Sequence, residues 1–202
     1  MTYIKTNIPQ PGIVELLFYK GSTGKALSKL AQTLMHGPSN LSSGERELIA
    51  AYVSGLNNCE FCHESHGSCA SHHLNDNGKT LEAVKSDFER APVSEKMKAL
   101  LKIAGQVQKG GREVTPEFIE EAIRKGASDE DIHDTVLIAA AFCMFNRYVD
   151  GLRTNLPTQK SDYLEMGKRM AKKGYKYPPL FLRKFIIWKM QRKDKRNKQG
   201  NA

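Results

Sequence analysis

Two cysteines separated by two residues, Cys59 and Cys62, are the side chains of this sequence best suited to chemistry. His66 follows in the same stretch, and a carboxylate, Glu47, stands twelve positions before the first cysteine. A thiol reacts as its thiolate, so it needs a group that takes its proton. The residue types and their spacing therefore point to redox chemistry or to a metal site.

A helix through this stretch would bring the two thiols and the imidazole to one face. Cys59 and Cys62 are three positions apart and Cys62 and His66 four, which are the spacings of neighbours on a helix. Asn58 is a suitable N-cap and would place both cysteines in the first turn. Free backbone N–H groups and the helix dipole at that end favour a thiolate, so we expect a lowered thiol pKa. If the preceding helix folds back, Glu47 and His66 can act as a proton relay.

The segments around this stretch predict an all-α fold, because nearly every apolar pattern has helical spacing. Ser42 and Glu45 form a capping-box pattern before the helix of Glu47, and Ser128 and Asp131 form a second one. The segment 132–149 that follows is apolar almost all round. We therefore expect it to be a buried central helix.

Zinc is the sharpest alternative for the cysteine stretch, because Cys69 and three further histidines lie close by. Structural zinc sites usually draw their ligands from two knuckles separated by a loop. Here every candidate falls on about four turns of one helix, which cannot surround a metal alone. Redox chemistry is therefore favoured, and a zinc site shared between subunits stays open. The histidines are His63, His72 and His73.

Length and cysteine usage indicate a soluble cytoplasmic protein. The 202 residues suffice for one domain with its own core plus an extension. The four cysteines are not spaced like a disulfide framework. The first residues build no apolar signal-peptide core, and no apolar run approaches the roughly 18 residues that a membrane span requires.

The positive charge is concentrated at the C-terminal end. The net charge is +9, but residues 160–202 hold 14 Lys and Arg against 3 acids and so carry +11, which leaves −2 for the rest. We therefore predict a helical domain over 1–157 and a basic, aromatic extension over 158–202, with its last ten residues disordered. Packing on a neighbouring subunit is the favoured role of the extension. Contact with anionic lipid or nucleic acid stays open.

The stretch around the cysteine pair resembles the signature of the AhpD-like, or carboxymuconolactone decarboxylase, superfamily, and in particular its peroxidase-related branch. The later run 145–151 is similar to the end of that family's second long helix. Together the matching segments cover most of residues 40–153. The residues that carry the resemblance are Arg46-Glu47-Leu48, Ser54-Gly55-Leu56-Asn57-Asn58-Cys59-Glu60-Phe61-Cys62 and His66.

The resemblance implies a helical fold, commonly a homo-oligomer, whose cysteine pair lines a pocket. It implies that Cys62 attacks a hydroperoxide and becomes a sulfenic acid, which Cys59 resolves as a Cys59–Cys62 disulfide. Glu47 and His66 would be the proton relay. The resemblance also implies an external thiol or lipoyl-type reductant. It implies no bound organic cofactor and no metal. Phe61 is a departure, because the best-studied hydroperoxide reductases of the family have a histidine there.

We therefore predict a thiol-dependent peroxidase or disulfide reductase with an antioxidant role. The presence of the cysteine pair favours this class, since the resemblance implies that the decarboxylase members of the superfamily lack it. The alternative is a non-enzymatic metal-binding or scaffold protein whose basic tail binds a membrane or nucleic acid.

Overall fold

The computed structural model describes residues 2–200, except for the side chains of residues 195 and 197–200. All regular elements in this part of the chain are helical, which confirms the predicted all-α fold. Two short 3-10 turns, Gly111–Glu113 and Leu180–Leu182, accompany the α-helices. The α-helices are α1 (Ile13–Tyr19), α2 (Gly21–His36), α3 (Ser43–Leu56), α4 (Glu60–Leu74), α5 (Lys79–Asp87), α6 (Glu95–Lys109), α7 (Pro116–Arg124), α8 (Asp129–Gly151), α9 (Lys160–Lys173) and α10 (Arg183–Gly200).

Helices α3, α6 and α8 pack against one another around the main core. Leu48 and Ile49 of α3, Leu100 and Ile103 of α6, and Phe142 of α8 are buried there. Helix α4 packs along α3 and carries the cysteine pair. The core therefore fixes the helix on which Glu47 lies and, through α3, the helix of the two thiols.

The two predicted capping boxes are present. Ser42 accepts a hydrogen bond from the backbone N–H of Glu45, and the Glu45 carboxylate accepts one from the backbone N–H of Ser42. Ser128 and Asp131 make the same reciprocal pair at the start of α8. Each pair satisfies N–H groups that a helix start leaves without an intrahelical partner.

The turn between α3 and α4 differs from the sequence expectation. Asn58 is not the N-cap of α4: it has φ 56°, and Cys59 occupies the cap position. The backbone N–H of Asn58 donates to Gly55 and that of Cys59 to Ser54, both at 3.0 Å, which is the pattern of a Schellman motif. Asn58 therefore ends α3, because asparagine tolerates the left-handed conformation that this motif requires.

Helix α8 is buried on one face only. Phe142 and Phe145 face the core, whereas Leu137 and Met144 are 39% and 43% exposed. The expected burial of this helix is therefore found on the face toward the core but not on the face of Leu137 and Met144. An apolar sequence all round the helix leaves one face in solvent when no further element of the described chain covers it.

The C-terminal extension packs on the helical domain through α9, which lies against α4. Tyr163 and Met170 of α9 are buried. Gly167 makes the close approach possible, because a Cβ atom at this position would come within 2.6 Å of Ser68. The basic extension thus supports the helix that carries the cysteine pair.

Beyond α9 the chain continues into α10, where Phe185 and Trp188 stack with ring centroids 5.8 Å apart and remain exposed. The expected disorder of the last ten residues falls partly outside the described part of the chain; the backbone that is described there continues α10 to Gly200. Among residues 2–200, no helix combines the length and apolar character needed to cross a membrane.

Candidate active site

The two cysteines meet at the start of α4 as free, buried thiols. Cys59 is the N-cap, and Cys62 is the third helical residue. The Cys62 thiol lies within hydrogen-bonding reach of the Cys59 thiol and of the Asn146 side chain on α8. The structure therefore brings together the thiol pair that the C-x-x-C spacing predicted.

The pKa of Cys62 is raised well above its ordinary value, mainly because its thiol is hydrogen bonded to Cys59 and secondarily because it is buried. Hydrogen bonding from Asn146 acts in the opposite direction. This direction contradicts the lowered thiol pKa expected from a helix N-terminus, because the hydrogen bond with Cys59 and the loss of solvation both favour the protonated thiol. Formation of the Cys62 thiolate therefore depends on a neighbouring proton acceptor.

Glu47 and His66 form a buried pair beside the thiols. Nδ1 of His66 lies 2.7 Å from Oε2 of Glu47, whose side chain is completely buried. Helix α3 thus folds back on α4 as the relay hypothesis required. His66 is four residues beyond Cys62 on α4, and the two side chains line the same cavity.

Tyr175 joins this pair, although no sequence pattern assigned it to the site. Its hydroxyl donates to Oε1 of Glu47 at 2.6 Å, and its ring stacks on His66 with centroids 5.8 Å apart and an interplanar angle of 11°. Burial, followed by the charge of Glu47, raises the pKa of Tyr175 well above its usual value. The phenol is therefore held in its protonated, hydrogen-bond-donating form.

A glycine at the end of α9 brings Tyr175 into the site. Gly174 has φ +66°, a conformation that favours glycine, and ends the helix there. The next backbone N–H, that of Tyr175, donates to Oε1 of Gln32 on α2 at 2.7 Å. Gly174 signals a helix end in the sequence, but no sequence pattern connects the tyrosine that follows with Glu47.

Cys69 is a third thiol at the site. It is fully buried on α4, within hydrogen-bonding reach of Glu47 and Tyr175. Burial and, after it, the charge of Glu47 raise the Cys69 pKa. Cys69 is therefore a protonated neighbour of the Glu47–His66 pair.

Two residues of α8 hold the other side of the thiol pair. The Asn146 side chain donates to Oγ of Ser54 at 3.0 Å and accepts from Nδ2 of Asn57 at 2.8 Å. Asp150 is hydrogen bonded to Cys59; partial burial raises the pKa of this carboxyl group, and the bond to Cys59 lowers it. Both residues belong to the run 145–151 that carried the weaker part of the sequence resemblance, but neither was assigned a role.

Two separate cavities reach the two cysteines. Cys62 and His66 line a cavity of about 490 Å³ bounded by α1, α2, α8, α9 and the segment after α9. Cys59 lines a second cavity of about 350 Å³ together with Leu56, Glu64 and Lys85. The two sets of lining residues have no member in common, so the two cysteines line different cavities.

The further histidines of α4 do not join His66 at the cavity of Cys62, although His63 lines the cavity of Cys59. Nδ1 of His63 lies 2.9 Å from the carbonyl oxygen of Ala51, and the His72 and His73 rings are neighbours at the far end of the helix. Within residues 2–200, no group of three or more His, Cys, Asp or Glu side chains is arranged to hold a metal ion.

Phe61 fills the position between the cysteines with an apolar ring. It is buried, its ring centroid lies 6.3 Å from that of Tyr163, and it leaves no room for a side chain at Gly12. Phe61 is also part of the wall of the larger cavity. The departure from the family pattern thus extends the apolar surface beside Cys62.

Comparison with known proteins agrees with this fold. Residues 22–85 match the carboxymuconolactone decarboxylase family. An uncharacterised peroxidase-related protein from a Silicibacter species is 25% identical with a TM-score of 0.69, over 76% of this chain and 78% of its own. An uncharacterised peroxidase-related protein with an alkylhydroperoxidase AhpD core, from Ralstonia eutropha, has the same identity and TM-score over 78% of this chain and 81% of its own.

A protein of unknown function from Agrobacterium tumefaciens shares the fold at 23% identity and a TM-score of 0.64, over 79% of this chain and 100% of its own. No curated protein matches the chain significantly. The fold, the family match over residues 22–85 and these structures support the resemblance of the chain to the AhpD-like, carboxymuconolactone decarboxylase superfamily.

Proposed function

We propose that this protein is a thiol-dependent peroxidase or disulfide reductase that cycles Cys59 and Cys62 between dithiol and disulfide. The observation that carries the proposal is the buried Glu47–His66 pair, whose imidazole shares a cavity with Cys62. The description of two similar structures as peroxidase-related proteins supports the same class of reaction.

In the oxidative step, His66 takes the proton of Cys62. Nδ1 of His66 is engaged with Glu47, which leaves Nε2 for the thiol. The thiolate attacks the terminal oxygen of a hydroperoxide, so an S–O bond forms and the O–O bond breaks. Sulfur is oxidised to a sulfenic acid, and the alkoxide that leaves takes up a proton from the relay and departs as an alcohol.

In the resolving step, the Cys59 thiol attacks the sulfenic sulfur of Cys62. The disulfide forms, the S–O bond breaks, and water leaves with the proton of Cys59. Asp150 is hydrogen bonded to Cys59 and can take this proton from the thiol and pass it to the departing hydroxide, and partial burial raises its pKa toward that role.

In the reductive step, an external dithiol reaches the disulfide through the cavity that Cys59 lines. Its thiolate attacks the sulfur of Cys59 and forms a mixed disulfide, and Cys62 leaves as a thiolate that His66 can protonate. The second thiol of the reductant then releases Cys59 and closes the reductant's own disulfide. A lipoyl-type reductant satisfies this requirement, because it carries two thiols in one group.

Turnover of cumene hydroperoxide with dihydrolipoamide as reductant tests the proposal. We expect Cys62→Ser and Cys59→Ser to abolish turnover, and Cys143→Ser, which keeps all three thiols of the site, to retain it. Equal turnover in the wild type and in Cys62→Ser would remove the proposed cycle.

A further inference from the structure

The cavity beside Cys62 has mostly apolar walls. Its volume of about 490 Å³ lies in the range of small-molecule sites. The carbon chain of a ligand in this cavity would lie in apolar surroundings. Such a ligand would also lie next to Cys62 and His66, which line the same cavity. The wall residues that dominate are Leu17, Phe18, Phe142, Phe145, Met166 and Met170.

The fully charged side chains of the lining are all cations. Arg169, Lys173 and Lys176 line the cavity, and no carboxylate does so among the described residues. All three cations are exposed, and none of the ion pairs found among the described side chains involves them. Such a cluster attracts an anionic group and leaves it hydrated at the rim.

The segment that carries the three cations also contacts His66, the residue that shares the cavity with Cys62. Arg169 and Lys173 are four residues apart on α9, so they lie on one face of that helix. Lys176 directly follows Tyr175, whose ring stacks on His66. An anionic head group at these three side chains would therefore direct the rest of the ligand inward, toward Cys62.

We propose that this cavity binds amphipathic carboxylates, and that the hydroperoxides which the protein reduces are hydroperoxides of such acids. This assignment rests on the proposed peroxidase function. The head group is held by Arg169, Lys173 and Lys176, and the apolar chain occupies the cavity and presents its hydroperoxide to Cys62. The reaction is the oxidative step described above, with the hydroxy acid as the reduced product.

Binding can be measured without any redox chemistry. A fluorescent long-chain fatty acid is bound to the reduced protein and displaced by oleate or by methyl oleate. We expect one site per chain, and displacement by the ester to be about tenfold weaker than by the acid, as expected for loss of several exposed charge contacts. The difference should shrink at high salt, because exposed charges are screened.

Matched charge variants locate the head group. The triple variant R169Q/K173Q/K176Q should bind oleate about tenfold more weakly and methyl oleate unchanged. The control K160Q/K168Q/K172Q removes three exposed cations from the same helix, none of which lines the cavity. It should bind oleate like the wild type. Equal binding of acid and ester, equal losses in both triple variants, or binding only to vesicles of anionic phospholipid would overturn the proposal.

A parallel experiment separates this proposal from the proposed function. The neutral cumene hydroperoxide and a fatty-acid hydroperoxide are each mixed with reduced protein, and thiol loss is followed. The methyl ester of the fatty-acid hydroperoxide is tested alongside. Faster thiol loss with the free acid than with the ester in the wild type, but not in R169Q/K173Q/K176Q, supports both the peroxidase function and the carboxylate site. Thiol loss with cumene hydroperoxide but no binding of oleate overturns the present proposal alone. Oleate binding with no thiol loss from either peroxide overturns the peroxidase function and the hydroperoxide substrate with it.

Discussion

The hydroxyl of Tyr175 donates a 2.6 Å hydrogen bond to Oε1 of Glu47, across 128 positions of sequence. The other oxygen of Glu47 meets His66, so each oxygen of a completely buried carboxylate has a partner. Burial of a carboxylate without such partners is costly. The C-terminal segment therefore contributes directly to the proposed relay.

Tyr175→Phe removes this hydrogen bond and keeps the ring on His66. We expect the free energy of unfolding to fall by about 1–3 kcal/mol, because a buried acceptor loses its donor. Oxidation of Cys62 by hydroperoxide should also slow, since Glu47 can then move away from His66. Urea unfolding and stopped-flow thiol oxidation measure the two effects. Tyr148→Phe, which removes the hydroxyl of a half-buried tyrosine on α8 outside both cavities, is the control; a loss of similar size there would contradict a special role for Tyr175.

His66→Ala should raise the pKa of Cys62 still further. The Cys62 thiol has a raised pKa in the resting protein, and the variant removes the group that we propose as the acceptor of its proton. Alkylation by iodoacetamide requires the thiolate, so the curve of alkylation rate against pH should move to higher pH. His72→Ala changes an exposed histidine on the same helix and should leave the curve in place. If the curve of alkylation rate against pH is the same in His66→Ala as in the wild type, His66 is not part of the proposed relay.

The local elements of this fold were predictable, because their signals lie within a few residues. Two helix starts are predicted by capping boxes, in which side chains accept hydrogen bonds from neighbouring backbone N–H groups. These are the pairs Ser42 with Glu45 and Ser128 with Asp131. Asn58 was assigned to the wrong helix, because asparagine suits both a helix start and a left-handed helix end.

The site itself was only partly predictable. The contact of Glu47 with His66 joins two helices, and the family resemblance suggested it before the structure did. The raised pKa of Cys62 follows from its hydrogen bond with Cys59 and from burial, and the spacing of residues reports neither the direction nor the depth of that environment. The position of Tyr175 depends on the packing of α9 against α4 and on the turn at Gly174. No sequence pattern near Glu47 predicts either of them.

The buried thiols make the stability of the reduced protein sensitive to alkaline pH. Cys62 and Cys69 both have raised pKa values in the folded state, so the folded state favours their protonated form. Their stabilising contribution is complete below the unfolded thiol pKa of about 8.5 and is lost as the pH rises above it. The free energy of unfolding should fall by up to about 1.4 kcal/mol per thiol and pH unit in this range.

Urea unfolding at pH 7, 8, 9 and 10 checks this prediction. Cys69→Ala removes one titrating thiol, so its stability should decline less steeply with pH than that of the wild type. The same slope in both proteins would show that Cys69 ionises equally in the folded and unfolded states.

The two cavities should govern different half-reactions. Gln10→Trp places a large ring at the cavity of Cys62, and Leu56→Trp places one at the cavity of Cys59. We expect the first variant to slow oxidation by hydroperoxide and the second to slow reduction by dihydrolipoamide, each severalfold. Single-turnover kinetics of thiol loss and thiol recovery measure the two steps separately. If both variants slow the same step, oxidant and reductant share one path.

A count of thiols before and after oxidation tests the Cys59–Cys62 dithiol cycle more directly than any variant. The reduced chain has four cysteines, and one equivalent of an organic hydroperoxide is added before free thiols are titrated and the peptides are mapped by mass spectrometry. The dithiol cycle predicts two free thiols per chain and a disulfide between Cys59 and Cys62, with Cys69 and Cys143 still reduced. Four remaining thiols, or a disulfide that joins another pair of cysteines, would contradict it.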